Sequence, residues 1–182
     1  MQFVIMTVGK THSGKTTFGK KIANKIKHSC LLDSDEVADF LSSKFPDLYD
    51  KDFTKDSNEL SSGYYLKLMV LLDIYKQALK TNLPIISTSA NADKNRRAKI
   101  RNLAKKSGRK VIIVYFNLLD KLLLTRIKAS KRSTKNFTDL LINKQSPRFE
   151  IPSKKEADYF FEITDEVSGE KVFKEVIKIV TK

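Results

Sequence analysis

Cysteine is almost missing from this chain: Cys30 stands alone among 182 residues. A single thiol excludes an internal disulfide and a cysteine metal cluster, and it suits a reducing compartment. The 4 prolines and 6 glycines are too few and too scattered to build a linker. Neither repeats nor low-complexity tracts occur, so one domain over residues 1–182 is expected. Long hydrophobic runs are lacking too. The stretch 66–75 is interrupted by Lys67 and Asp73 and falls short of the roughly 18–20 residues that cross a bilayer. The apolar run at Phe3 has no basic leader or cleavage site ahead of it. A cytoplasmic protein without membrane insertion is therefore expected. Tryptophan is absent, which removes one means of stacking single-stranded bases.

Acidic residues are the scarcer charge, 21 against 35 Lys and Arg, for a net charge of +14. The excess is concentrated: residues 91–135 hold 15 basic and 2 acidic side chains, while the flanking segments are close to balance. Clustered cations attract phosphates through Coulomb forces and counterion release, which points to an anionic partner. The plainer reading is the solvated face of a lysine-rich protein.

What is present in quantity is alternating structure. Apolar runs predict strands at 3–8, 29–32, 84–87, 111–116 and 159–163. Helical spacing predicts helices at 16–27, 35–44, 59–80, 93–106, 118–131, 138–143 and 169–181. Gly108 suits a left-handed helix end. The helix at 59–80 is apolar along most of its length, so it is expected to pack on several sides, with Tyr64 and Tyr65 more in keeping with core than with base stacking. Such alternation implies an α/β fold, a parallel sheet of about five strands with helices on both faces.

Directly after the first strand, Gly9, Lys10, Thr11, His12, Ser13, Gly14, Lys15 and Thr16 satisfy G-x-x-x-x-G-K-[ST] and open into a helix that continues with Thr17. The glycines let the backbone wrap a phosphate, and the loop and helix N-terminus turn N–H groups toward it. Lys15 supplies a charge for the terminal phosphates, and the Thr16 hydroxyl is a hard oxygen ligand for magnesium. His12 occupies a variable loop position and reads as solvated or phosphate-adjacent. ATP and Mg2+ are the cofactors this loop predicts.

After the second strand come Asp33, Ser34, Asp35 and Glu36. In an extended segment Asp33 and Asp35 face the same way, toward a nucleotide at the carboxyl edge of the sheet. One carboxylate there can take the proton of an attacking hydroxyl, and another can hold magnesium. The alternative is that Asp35 or Ser34 only caps the next helix. Guanine-specific motifs are missing, and a motor or AAA machine is usually longer, which favours a small kinase.

The loop, with LLDSDEV at 31–37, IISTSANADKNRR at 85–97, RIKASKR at 126–132 and RFEIPSKKEADYFFEI at 148–163, resembles the P-loop kinases related to phage-type polynucleotide 5'-kinase and zeta-type toxins. The resemblance spans about residues 3–163. It implies that Asp35 is the general base, that Arg126 is the lid arginine meeting the transferring phosphates, and that Arg132 is a second such arginine in a lid near 126–137. Asp33 and Thr16 are left for the metal. LDSDEV is also similar to the LDGDN segment of adenylylsulfate kinases. The chain departs from the polynucleotide kinases at Ala38, where they carry arginine, and at Thr88 and Ser89, where they carry an acid. The expected activity is transfer of the terminal phosphoryl of ATP to a hydroxyl, with the 5'-hydroxyl of a nucleic acid as acceptor. The alternatives are a small-molecule acceptor (a nucleoside, a nucleotide sugar or an adenylylsulfate-like compound) and a nucleotide-binding protein without transfer chemistry.

Overall fold

The computed structural model describes residues 2–49, 62–130 and 134–181. Chain order is β1 (Phe3–Val8), α1 (Lys15–Ile26), β2 (Cys30–Leu32), α2 (Ser34–Lys44), α3 (Ser62–Leu79), β3 (Ile85–Ser87), α4 (Lys94–Lys106), β4 (Lys110–Phe116), α5 (Asp120–Ala129) and α6 (Thr134–Asp139). A π-helix (Leu140–Gln145) follows, then α7 (Ser146–Arg148), a 3-10 turn (Lys154–Glu156), β5 (Tyr159–Ile163) and α8 (Glu166–Val180). The five strands are all parallel in the order β2-β3-β1-β4-β5. This is the α/β architecture that the alternation predicts.

β1 lies at the centre, paired with β4 from Phe3 opposite Lys110 to Val8 opposite Tyr115. All six of its residues are buried, as a strand covered on both faces requires. Alternation sorts the core into two layers. Phe3, Ile5, Ile112, Val114 and Phe116 meet Phe18 and Ile22 of α1 and Val172 and Val176 of α8. On the other face, Val4, Met6, Ile113 and Tyr115 meet Tyr75 and Ala78 of α3 and the Ile100, Leu103 and Ala104 stripe of α4. The carboxyl ends of β1, β3 and β4 are thus held rigidly at one edge, where this class of sheet binds ligands. No helix among the described residues is long and apolar enough to cross a membrane.

Several boundaries differ from the sequence reading. α8 begins at Glu166 because Asp165 caps it, its carboxylate accepting from Ser168 N at 2.7 Å; apolar spacing becomes visible only further on. The segment expected to be helical over 138–143 starts at Thr134 as α6 and widens into a π-helix. Part of 59–80 lies outside the described residues. The α3 that is described exposes Tyr65 and Met69, so Tyr65 is not core, and the side chain of Tyr64 is among those not described.

Two arginines of the basic segment are structural, which the sequence reading did not foresee. Arg97 is 1% exposed and meets Glu156 through Nε at 2.8 Å and through a terminal nitrogen at 3.2 Å. Its other terminal nitrogen donates to the carbonyls of Asn91 and Ala92, both at 3.0 Å. Arg109, also buried, donates to Leu83 O at 2.7 Å and to the carbonyls of Thr81 and Ala78, closing the end of α3.

The Arg97–Glu156 pair generates a stability prediction. Burial raises the Glu156 carboxyl, but hydrogen bonds from Arg97 and the Ser153 amide hold it below its ordinary value. Its stabilising contribution is therefore complete above the unfolded pKa of about 4.3 and is lost as pH falls through the lower folded value. Glu156→Gln should lower stability by about 3–5 kcal/mol at neutral pH, because it strands a buried guanidinium. Urea denaturation between pH 3 and 7 should also show a flatter acid limb than in the wild type.

Candidate active site

The loop Gly9–Thr16 joins β1 to α1. Gly14 has φ 98°, a left-handed conformation that favours glycine. Gly9 passes so close to the end of β4 that a Cβ there would lie 2.9 Å from Phe116 Cβ. α1 starts with no side-chain cap and no acidic residue in its first turn, leaving its first N–H groups for an external anion. Lys15 Nζ donates to Lys10 O at 2.6 Å and to Ser13 Oγ at 3.2 Å. Burial lowers the Lys15 pKa to about 8, against the upward pull of Asp35 and Asp33.

Asp33 is the hub of the site. Its Oδ2 accepts from Thr16 Oγ1 at 2.8 Å and from Thr88 Oγ1 at 2.9 Å. Its Oδ1 accepts from the amides of Asp35 at 2.8 Å and Glu36 at 3.4 Å, so it also caps α2. Burial pushes this carboxyl up, and the four hydrogen bonds outweigh it, holding the group below its usual range. The expected geometry is corrected here: 33–35 is not extended, because the chain turns into α2 at Ser34, and neither Asp35 nor Ser34 is the cap. Asp35 lies exposed on the first turn of α2. Lys67 of α3 is buried, which lowers its pKa, with Asp35 acting to raise it and Arg96 to lower it. Asp33 and Asp35 thus sit in different environments, one enclosed by neutral donors and one open between cations.

The hydroxyl at Thr88 reaches the same carboxylate that Thr16 does, a role the sequence reading registered only as a missing acid. Gly19 belongs to this arrangement, since a Cβ on it would come 2.2 Å from Thr88 Cγ2. A glycine inside a helix is itself a signal of such close approach, because it costs about 1 kcal/mol relative to alanine. Asn91 (φ 48°) donates to Thr7 O at 2.8 Å and Ser89 O at 3.2 Å, tying the end of β3 to β1.

Arg126 of α5 reaches the loop, a terminal nitrogen lying 3.4 Å from both His12 O and Ser13 O. His12 is not solvated: it is half-buried, and its ring stands edge-on to Phe137 at 4.8 Å. Lys131 and Arg132 lie outside the described residues. In α5, Leu123 and Ile127 are buried, while Leu119, just before the helix, is exposed. Gly14, Thr17, Lys21, Arg126, Asp165 and Phe173 are among the residues lining a cavity of about 440 Å3 between the loop, α5 and α8. A smaller cavity of about 200 Å3 lies on the other side of β4, against Lys10, Tyr115, Ser146 and Phe149. There the two aromatic rings stack with centroids 6.0 Å apart. Neither cavity was anticipated, because each gathers residues from opposite ends of the chain.

A parallel sheet in this order, with a phosphate loop at the end of its central strand, is the fold of the P-loop kinases. The chain belongs to the AAA_33 family, described as an AAA domain, whose model matches residues 4–152. Solved structures of similar fold include the Mycobacterium tuberculosis APS kinase CysC in complex with AMPPNP and APS. It is 13% identical with a TM-score of 0.66, and the match covers 100% of this chain and 98% of that one. A Sinorhizobium meliloti gluconokinase is 13% identical with a TM-score of 0.60, covering 99% and 95%. Chaetomium thermophilum Kti12, in complex with ADP-AlF3, is 17% identical with a TM-score of 0.61, covering 95% and 96%. Among curated proteins no sequence match is found.

The contact between Gly19 and Thr88 is open to a direct test. Gly19→Ala should destabilise the protein by about 1–2 kcal/mol, because overpacking outweighs the gain in helix propensity. Thr88→Ser removes the obstructing methyl and keeps the hydroxyl, so a double-mutant cycle in urea should show the serine recovering most of that loss.

Proposed function

We propose that the protein is a magnesium-dependent kinase that transfers the terminal phosphoryl of ATP to a hydroxyl of a small molecule. The observation that carries this reading is the separation of two aspartates around one phosphate loop. Asp33 is buried and bonded to Thr16, whereas Asp35 is exposed on the first turn of α2, where its charge acts on Lys15. The chain acts as one kinase domain whose lid lies near 126–137.

In this reading the loop amides and the α1 N-terminus hold the phosphates, Lys15 neutralises the terminal ones, and the lid residues Arg126 and Arg132 meet the charge that develops during transfer. Asp33 and Thr16 offer hard oxygens suited to a magnesium ion that rests mainly on phosphate oxygens and water. Bound there, the ion would offset charge on the β- and γ-phosphates. Asp35 accepts the proton of the acceptor hydroxyl as its oxygen bonds to the γ-phosphorus, and the bond from phosphorus to the β-γ bridging oxygen breaks to release ADP. The about 440 Å3 cavity beside Gly14, Thr17 and Arg126 suits the nucleoside of ATP.

Two considerations favour a small acceptor over the 5'-hydroxyl of a nucleic acid. The similar structures whose names state an acceptor include an APS kinase and a gluconokinase. Arg97 and Arg109 are buried in structural contacts, and Arg126 is turned to the loop, so fewer cations are left for a polyanion than the sequence implies. The nucleic-acid reading rests on the basic segment 91–135, whose exposed lysines include Lys94, Lys99, Lys105 and Lys106 of α4 and Lys121 and Lys128 of α5.

A transfer assay with labelled ATP across sugars and sugar acids, nucleosides, adenylylsulfate and 5'-hydroxyl oligonucleotides at several salt concentrations tests both. Label on a small acceptor, insensitive to salt, is the expected result. Label only on oligonucleotides, falling steeply with salt, would support the other acceptor, and ATP bound but unchanged throughout would mean a binding protein. Lys15→Ala should abolish transfer. Asp35→Asn should lower turnover by about two orders of magnitude while ATP affinity stays within a few fold.

A further inference from the structure

The segment that follows α6 grips the phosphate loop through side chains. Gln145 ends the π-helix, and its Oε1 accepts from Thr11 N at 2.6 Å. The next residue, Ser146, donates to Asp120 Oδ2 at 2.7 Å, and the other oxygen of that carboxylate accepts from Lys10 Nζ at 2.7 Å. Two successive residues of one segment therefore hold two successive residues of the loop, Ser146 through Asp120 and Gln145 directly. π-Helical turns are rare and are frequently found at functional sites.

The peptide between Lys10 and Thr11 is engaged at both ends. Its N–H is bound by Gln145, and its carbonyl accepts from Lys15 Nζ at 2.6 Å. In a trans peptide these groups point in opposite directions. Lys15 and the π-helix glutamine are thus the two ends of one hydrogen-bonded chain, in which each bond polarises the next. Fixing the N–H fixes the carbonyl, and the carbonyl fixes where the ammonium waits.

We propose that Gln145 is a positioning residue for Lys15, holding the 10–11 peptide so that the loop is preorganised for terminal phosphates. The inference rests on the reading that this loop takes a nucleoside triphosphate. It concerns binding rather than transfer, so its test does not depend on finding the acceptor. Preorganisation raises affinity by removing the ordering that a ligand must otherwise impose.

The test compares wild type with Gln145→Leu by titration with ATP and with ADP, by amide hydrogen exchange at Thr11 in the nucleotide-free protein, and by thermal melting. Loss of one hydrogen bond predicts an ATP Kd roughly five- to tenfold weaker. ADP should weaken by no more than about twofold, because Lys15 chiefly serves the terminal phosphates. Exchange at Thr11 should accelerate, with a Tm within a few degrees of wild type. Gln145→Met makes the same deletion on an unbranched side chain if the leucine variant does not fold. An ATP affinity within twofold of wild type, equal losses for ATP and ADP, or unchanged exchange at Thr11 would overturn the proposal. Wild-type protein that binds ATP but phosphorylates nothing would sink the kinase reading and leave this comparison intact.

Discussion

The site is organised around one buried carboxylate held by neutral donors. Removing an ion from water is costly unless hydrogen bonds replace its hydration, and Asp33 receives two hydroxyls and two amides. Those donors come from three elements: Thr16 from the start of α1, Thr88 from the end of β3, and the amides from the first turn of α2. Their relative positions are therefore set together. α1 has to run close enough to β3 for both hydroxyls to reach the same oxygen, and the absence of a side chain at Gly19 is the steric consequence. Lys15, one residue before Thr16, is drawn into the same enclosure, where burial lowers its proton affinity while Asp35 and Asp33 raise it.

Basic residues that look like one patch in the sequence separate into distinct jobs in the fold. Arg97 fastens the loop after β3 to the turn before β5 through Glu156, 59 positions away. Arg109 closes the carboxyl end of α3, and Arg126 reaches across to the phosphate loop. The planar guanidinium suits these tasks because it satisfies several carbonyls or a carboxylate in fixed directions. What remains on the surface of α4 is mostly lysine, whose single flexible charge specifies less. A local excess of charge thus overstates the surface available to a polyanion whenever its arginines serve as internal braces.

The sheet and the phosphate loop were legible in the sequence because each depends on short-range pattern. β1, β4 and β5 are apolar runs, Asp93 stands directly before α4 and caps it, and the loop motif specifies its own geometry. The geometry of the aspartate pair was not legible. A spacing of two residues reads as a shared face only while the chain stays extended, and the cap at Asp33 ends the extension one residue too soon. The π-helix escaped notice because its period matches neither template, and its consequence is the bond from Gln145 to Thr11 across 134 positions. Of the two readings of His12, solvated or phosphate-adjacent, the first gives way to a ring contact with Phe137 that nothing local announces. Each of these misses involves a partner distant in sequence or a backbone turn decided by one hydrogen bond.

The costs concentrated at this edge of the sheet follow from the same constraint. α2, α4 and α8 each begin under an aspartate cap, whereas α1 begins under Gly14 with no cap at all. His12 takes a positive φ, and Lys15 carries a buried ammonium. None of these choices stabilises the fold, and each leaves a donor or a charge available to phosphate. The offset comes from the layer beneath, where Phe18 meets Phe116 edge-on at 5.6 Å and Ile22 is fully buried against the sheet. Burial of each such side chain stabilises by about 1.5–3 kcal/mol, comparable to the loss of a helix cap at about 1 kcal/mol together with local backbone strain of about 1–3 kcal/mol. α1 can therefore hold its first turn open toward a ligand because its buried face, and not its N-terminus, keeps it in place.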